Sequence, residues 1–136
     1  MASMKVWLER FFHQEARRAT RLESLPLIAY NWDAPHPKSW AVRDVGFGGM
    51  YLLTTERWYP NTLIMMTMVR TDTTAADRSI QVMGRVTRSG EDGVGFEFVL
   101  PSAKRPHDPR RLYPTQADDT QLESFLASTA TGMVSA

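Results

Sequence analysis

The sequence predicts an all-β domain in which six antiparallel strands close into a barrel, with a helix near each end of the chain. Six segments of apolar or alternating residues follow one another between residues 25 and 99. The links between them are short and polar and contain no helical pattern, so neighbouring strands have to run antiparallel. Six strands of this length usually close on themselves, because closure leaves no unpaired strand edge.

Residues 1–16 are predicted to form an amphipathic helix ahead of the barrel. Val6, Trp7 and Phe11 recur at three- and four-residue spacing, and residues 4–16 contain neither Gly nor Pro. We expect the aromatic face of this helix to pack against its own domain or against a partner protein.

The six predicted strands are separated by clusters of turn residues. The fourth is apolar on both faces, which is typical of a strand buried on both sides. The last two are joined by the turn-rich residues 89–93, which predict a hairpin. In chain order the strands are Leu25–Trp32, Ser39–Val45, Gly49–Thr54, Leu63–Arg70, Ile80–Arg88 and Val94–Val99.

A basic, irregular loop and a short helix follow the last strand. Residues 101–114 hold four of the eight prolines together with a cluster of Lys and Arg, which predicts a loop that a partner could contact. Residues 115–118 resemble a capping box, and Leu122, Phe125 and Leu126 follow at helical spacing. We therefore expect the barrel domain to span residues 17–126, and residues 127–136 to form a frayed tail.

The composition argues against an enzyme and against a metal site. The chain has no cysteine, and its three histidines are not spaced like metal ligands. It shows no G-x-S-x-G elbow and no phosphate-binding loop ahead of a helix. We therefore expect no catalytic residues, no metal and no cofactor. No apolar run is long enough to span a bilayer and no secretory pattern is present, which indicates a cytoplasmic protein.

Two short motifs carry the chemistry that the sequence does suggest. Arg17, Arg18 and Arg21 lie just before the first strand, and a glycine-rich turn begins at Asp44 and ends at Gly49. Arginine binds phosphates and the guanine edge through a planar fork, and a carboxylate accepts hydrogen bonds from guanine N–H groups. These two motifs together suit a ligand that contains both phosphate and guanine.

In this order and spacing, the two motifs resemble the PilZ family, whose members bind the second messenger cyclic di-GMP. The family pattern is R-x-x-x-R followed by [D/N]-x-S-x-x-G. Arg17 and Arg21 match the first part, Asp44 and Gly49 match the ends of the second, and Gly46 replaces the family serine. The stretches 84–88 and 93–96 also look like the family's closing strands, so the resemblance covers roughly residues 17–126.

The resemblance implies a receptor of cyclic di-GMP that has no catalytic activity. The arginines would hold phosphate and guanine, Asp44 would read a guanine edge, and Gly46 and Gly49 would allow the ligand close to the backbone. The arginine segment would become ordered on binding and relay the signal to a downstream protein that the sequence does not identify. The implied ligand-binding residues are Arg17, Arg18, Arg21, Asp44, Gly46 and Gly49.

Two other functions fit the same residues. The missing serine hydroxyl at Gly46 would suit a barrel that has lost its ligand and serves as a protein adaptor. The many arginines, together with Trp32, Trp40 or Trp58 as stacking platforms, would suit a small barrel that binds single-stranded nucleic acid, which we consider the weaker alternative.

Overall fold

The computed structural model describes residues 22–23, 26–31 and 37–135, with side chains for 26–31 and 37–130. The predicted N-terminal helix over residues 1–16 and the three arginines of the first motif lie outside the described residues. Trp32 lies outside them as well.

All six predicted strands are present, each within a few residues of its predicted bounds. A two-residue strand precedes them, and one helix follows. The elements are β1 (Leu22–Glu23), β2 (Leu27–Asn31), β3 (Lys38–Val45), β4 (Gly49–Leu53), β5 (Leu63–Arg70), β6 (Ser79–Ser89), β7 (Gly93–Val99) and α1 (Asp119–Ser135).

The strands form a closed antiparallel barrel, as the sequence predicted. The order across the sheet is β3-β2-β5-β6-β7-β4, and a further pairing between β3 and β4 closes the ring. β2 and β3 alternate between a buried and a more exposed side, so each contributes one row of side chains to the core, whereas the first four residues of β4 and of β7 are all buried. β5 alternates as well, with Met66 and Met68 fully buried and Leu63 exposed, so the prediction that it is buried on both faces was wrong.

The apolar face of α1 joins the barrel core. Leu122 and Leu126 are fully buried and Phe125 nearly so, as their spacing predicted. Burying each of these side chains is worth about 1.5–3 kcal/mol. The helix starts with a capping box three residues later than predicted. Asp118 Oδ1 accepts from the Gln121 amide and Gln121 Oε1 accepts from the Asp118 amide, both at 2.9 Å.

The helix continues to Ser135, through residues that the sequence predicted as a frayed tail. Thr129 is fully buried, and its hydroxyl donates to the Phe125 carbonyl at 2.9 Å. Ala127 and Ala130 pack against the core. Small residues continue the helix here because they fit closely against the barrel.

Candidate functional site

The β3–β4 turn brings together Asp44, Gly46 and Gly49 of the second motif. The Gly46 amide donates to the Gly49 carbonyl at 2.9 Å, which closes the turn. The Phe98 amide donates to the Gly48 carbonyl at 2.9 Å, which ties the turn to β7. The turn is therefore held by backbone hydrogen bonds on two sides.

β1 connects the first motif to this turn. Leu22 pairs with Val45 and Glu23 pairs with Asp44. Arg21 precedes Leu22 by a single peptide bond, so the arginine segment leads directly into a strand that lies beside Asp44. The two motifs are far apart in the sequence, and the β1–β3 pairing brings the strand that follows the first motif beside the start of the second.

Asp44 is buried, and its carboxylate binds the side chain of Arg43, the preceding residue. Asp44 is 6% exposed, and its Oδ2 accepts a hydrogen bond from Arg43 Nε at 2.8 Å. This hydrogen bond is also the main reason why the pKa of Arg43 is raised. The register between β3 and β4 shifts between Val42 and Asp44, and such a bulge redirects the side chains next to it. The carboxylate that the sequence assigned to guanine thus already binds one guanidinium.

The Arg43 guanidinium covers an aromatic ring on the outside of the barrel. It lies 3.8 Å from the ring centroid of Tyr51, which is the cross-strand partner of Asp44. The Arg88 guanidinium, from β6, lies 5.9 Å from the same centroid. The Tyr51 hydroxyl donates to Asp92 Oδ1 at 2.6 Å, and this bond raises the pKa of Tyr51 and lowers that of Asp92.

Sequence reasoning missed this cluster of two arginines on a tyrosine ring. The available signal was the turn and strand around Gly90 and Gly93. A side-chain carbon at Gly90 would overlap the Tyr51 hydroxyl, and one at Gly93 would lie 2.7 Å from the Tyr51 ring. Gly90 therefore leaves space for the ring, and Gly93 leaves space for both the ring and the Leu52 carbonyl oxygen.

Gly49 has a structural role of its own. A side-chain carbon there would overlap the carbonyl oxygen of Phe96 and lie 3.2 Å from Glu97 Cα. The absence of a side chain at Gly49 therefore allows the backbone of β7 to pack closely against it. None of the described glycines has a positive φ, so the turn does not demand glycine on grounds of backbone strain.

An open cavity of about 630 Å³ adjoins the turn. It is lined by apolar side chains and by charged groups from β6, β7, the following loop and the start of α1. Arg85 and Glu97 form an ion pair there at 2.8 Å. The cavity is large enough to take part of a nucleotide-sized ligand. The lining residues are Phe47, Gly48, Arg85, Glu97, Phe98, Val99, Leu100, Arg110 and Asp119.

The tryptophans that the nucleic-acid interpretation needed as stacking platforms are engaged in packing. Trp40 is 9% exposed, and Trp58 is half-buried. Their ring centroids are 5.6 Å apart, and Trp58 lies 5.5 Å from Phe96. The prediction that Trp40 or Trp58 is exposed for base stacking was wrong.

Comparison with known proteins supports the fold. No protein-family model matches this chain, and no curated protein matches it. Among solved structures, the chain is similar to K. pneumonia MrkH in its apo state, with a TM-score of 0.52 and 14% sequence identity. The match covers 84% of this chain and 51% of that one, so this chain spans about half the length of MrkH.

Two further classes of site concern the part of the chain that the structure describes. It holds no group of three or more His, Asp or Glu side chains that could bind a metal ion. No helix within the same residues combines the length and the apolar character needed to cross a bilayer.

Proposed function

We propose that this chain is a PilZ-like, non-enzymatic receptor that binds cyclic di-GMP in the bacterial cytoplasm. The observation that carries the proposal is the β1–β3 pairing. It places the residue that follows Arg21 opposite Val45, beside Asp44 and the glycine turn. The resemblance of both motifs to the PilZ pattern and the closed six-stranded barrel support the same function.

The proposed chemistry assigns a different ligand group to each motif. Arg17, Arg18 and Arg21 bind the two phosphates and the outer edge of guanine through their forks. Asp44 accepts from the guanine N1–H and N2–H₂ groups. A carboxylate has about four lone-pair positions, so it can accept hydrogen bonds from several donors at once.

Ligand binding would act as a signal if the ligand orders the arginine segment. A ligand shifts a conformational equilibrium only by its difference in affinity for the two states. If the ordered segment alone can bind, the ligand stabilises that arrangement and presents it to a downstream protein.

The test is a calorimetric titration of cyclic di-GMP into the parent protein and into Arg17→Ala and Arg21→Ala. Each loses charge-assisted hydrogen bonds worth about 1.5–3 kcal/mol, so affinity should fall about ten- to a hundredfold. Arg105→Ala is the matched control, because Arg105 is exposed and belongs to neither motif. Cyclic di-AMP tests whether guanine is recognised.

The proposal fails if the parent does not bind cyclic di-GMP at millimolar concentration, in which case the adaptor function is favoured. The site assignment fails if both arginine variants bind as tightly as the parent does. A steep dependence on salt, with an oligonucleotide preferred to the dinucleotide, would favour the nucleic-acid function instead.

A further inference from the structure

The loop between β7 and α1 has no regular secondary structure, yet its first half is held by a buried carboxylate. Asp108 is 4% exposed. Its Oδ2 accepts from the Ser102 amide and its Oδ1 from the Arg110 amide, both at 2.9 Å. The Arg110 guanidinium adds two more bonds, at 3.0 and 2.7 Å. These bonds hold the pKa of Asp108 well below its usual range, with the Arg110 side chain as the largest cause.

The second half of the loop is held by a buried amide. Gln116 is 1% exposed. Its Oε1 accepts from the Leu112 amide at 2.7 Å and from the Tyr113 amide at 3.3 Å. Its Nε2 donates to the carbonyls of Val99 at 2.8 Å and Arg110 at 3.0 Å. All four hydrogen-bonding positions of the side chain are therefore used, and the loop is tied to the end of β7.

This network keeps two apolar side chains on the surface. Leu112 is 48% exposed and Tyr113 is 53% exposed. Their backbone amides are the groups that bind Gln116, so the conformation of this segment is set by the loop itself. Large apolar side chains held on the surface next to each other often mark a contact site for another protein.

The charge that the same loop exposes is positive. Residues 101–116 contain four cations, and their single carboxylate is the buried Asp108. Arg110 is engaged with Asp108, and Arg111 donates to the Gln116 carbonyl at 2.8 Å. Lys104 and Arg105 are exposed, and neither side chain has a hydrogen bond or ion pair with the residues that the structure describes.

We propose that the loop of residues 101–116 is a preformed docking surface for an acidic protein segment that carries an apolar side chain. Leu112 and Tyr113 contact the apolar side chain, and Lys104 and Arg105 bind the carboxylates. Preorganisation favours a partner of defined shape, because little conformational entropy is lost in the loop on binding. Lipid surfaces are usually recognised by clusters of about 4–8 cations, and only two are unengaged here. This proposal does not depend on cyclic di-GMP binding.

The experiment selects peptides from a random dodecapeptide phage library on the whole chain, with counter-selection on the double variant Leu112→Ser and Tyr113→Ser. We expect the enriched peptides to combine Asp or Glu with at least one large apolar residue. A synthetic copy of the most enriched peptide, labelled with fluorescein, is then titrated with the parent and its variants, and the fluorescence anisotropy is measured.

Leu112→Ser should weaken peptide binding at least tenfold, and so should the pair Lys104→Glu and Arg105→Glu. Leu63→Ser is the matched apolar control, because Leu63 is also 48% exposed but lies on β5. Arg78→Glu is the matched charge control at another exposed position. Both controls should bind the peptide as the parent does.

Asp108→Asn tests the preformed conformation separately from the contact residues. It removes the carboxylate that the Arg110 guanidinium binds, so peptide affinity should fall although no contact residue has changed. The proposal is overturned if no peptide is enriched, if the enriched peptides lack acidic residues, or if the loop variants bind them as tightly as the controls do. Binding to vesicles of 20% phosphatidylserine that depends on the same residues would also overturn it.

Discussion

Replacement of Gly49 by Ala tests whether the turn glycine serves the barrel or the ligand. The added carbon would overlap the Phe96 carbonyl oxygen and lie 3.1 Å from the carbonyl carbon. Both atoms belong to the backbone of β7, so no side-chain rotation can relieve the contact. The β4–β7 ladder, which pairs Gly49 with Glu97, has to open locally instead.

The expected loss of folding stability is that of an overpacked site. Forcing an extra carbon into a packed site costs about 1–3 kcal/mol, and a rigid backbone neighbour places this variant at the upper end. A loss of about 3 kcal/mol lowers the melting temperature of a domain of this size by about 10 °C. The reduced entropy of the unfolded chain offsets about 0.4–1 kcal/mol of the loss.

Gly48→Ala is the control one residue away. A side-chain carbon at Gly48 would have nothing within 4 Å, and its φ is not positive. We expect this variant to be as stable as the parent or slightly more stable. Urea unfolding of the three proteins, followed by tryptophan fluorescence, measures the difference.

The reasoning is refuted if Gly49→Ala and Gly48→Ala unfold at the same urea concentration. The glycine at position 49 would then have to serve contact with the ligand. In that case calorimetry should show that Gly49→Ala loses affinity for cyclic di-GMP without losing stability.

Three further predictions use the same protein. Gly46→Ser restores the family hydroxyl at a residue without positive φ. Calorimetry should therefore show an affinity for cyclic di-GMP that is unchanged or several-fold higher. A loss of affinity would contradict this prediction. Leu122→Ala truncates a fully buried side chain of α1 and should lower the free energy of unfolding, measured in urea, by about 2–5 kcal/mol. A decrease below about 1 kcal/mol would mean that the helix does not share the core. Because the pKa of Asp108 is lowered in the folded protein, its stabilising effect is complete above the unfolded value of 3.8 and is lost as the pH falls through the lower folded pKa. The NMR shift of the Ser102 amide should therefore stay constant through pH 3.8, and a midpoint at that pH would refute the prediction.

The barrel could be predicted from the sequence because its signal is local. In β6, Val82 and Val86 lie on the buried side, as the alternation of residue types indicated, and a register shift between Val86 and Arg88 leaves Arg88 on the exposed side. Because the links between consecutive strands are short, these strands could only run antiparallel to each other. The start of α1 was predicted three residues too early. Thr115 has the residue type of a cap, but the structure uses Asp118, and the buried side chain of Gln116 lies in the preceding loop.

The candidate site was predicted in part. The second motif does form one turn, but its partners across the sheet could not be deduced. The contacts of Tyr51 with Arg43 and Arg88 depend on the pairing of Asp44 with Tyr51, and that pairing depends on a bulge at Arg43. A shift of one residue would turn every side chain of the strand to the other face.

By itself, then, the sequence determined the elements, the class of fold and the residue types that suit a guanine nucleotide, because these depend on neighbours along the chain. Only the tertiary structure decided that β1 lies beside Asp44, that Arg43 binds Asp44, and that residues 101–116 form an ordered surface. These features depend on strand register and on hydrogen bonds between distant residues, which become defined when the barrel closes.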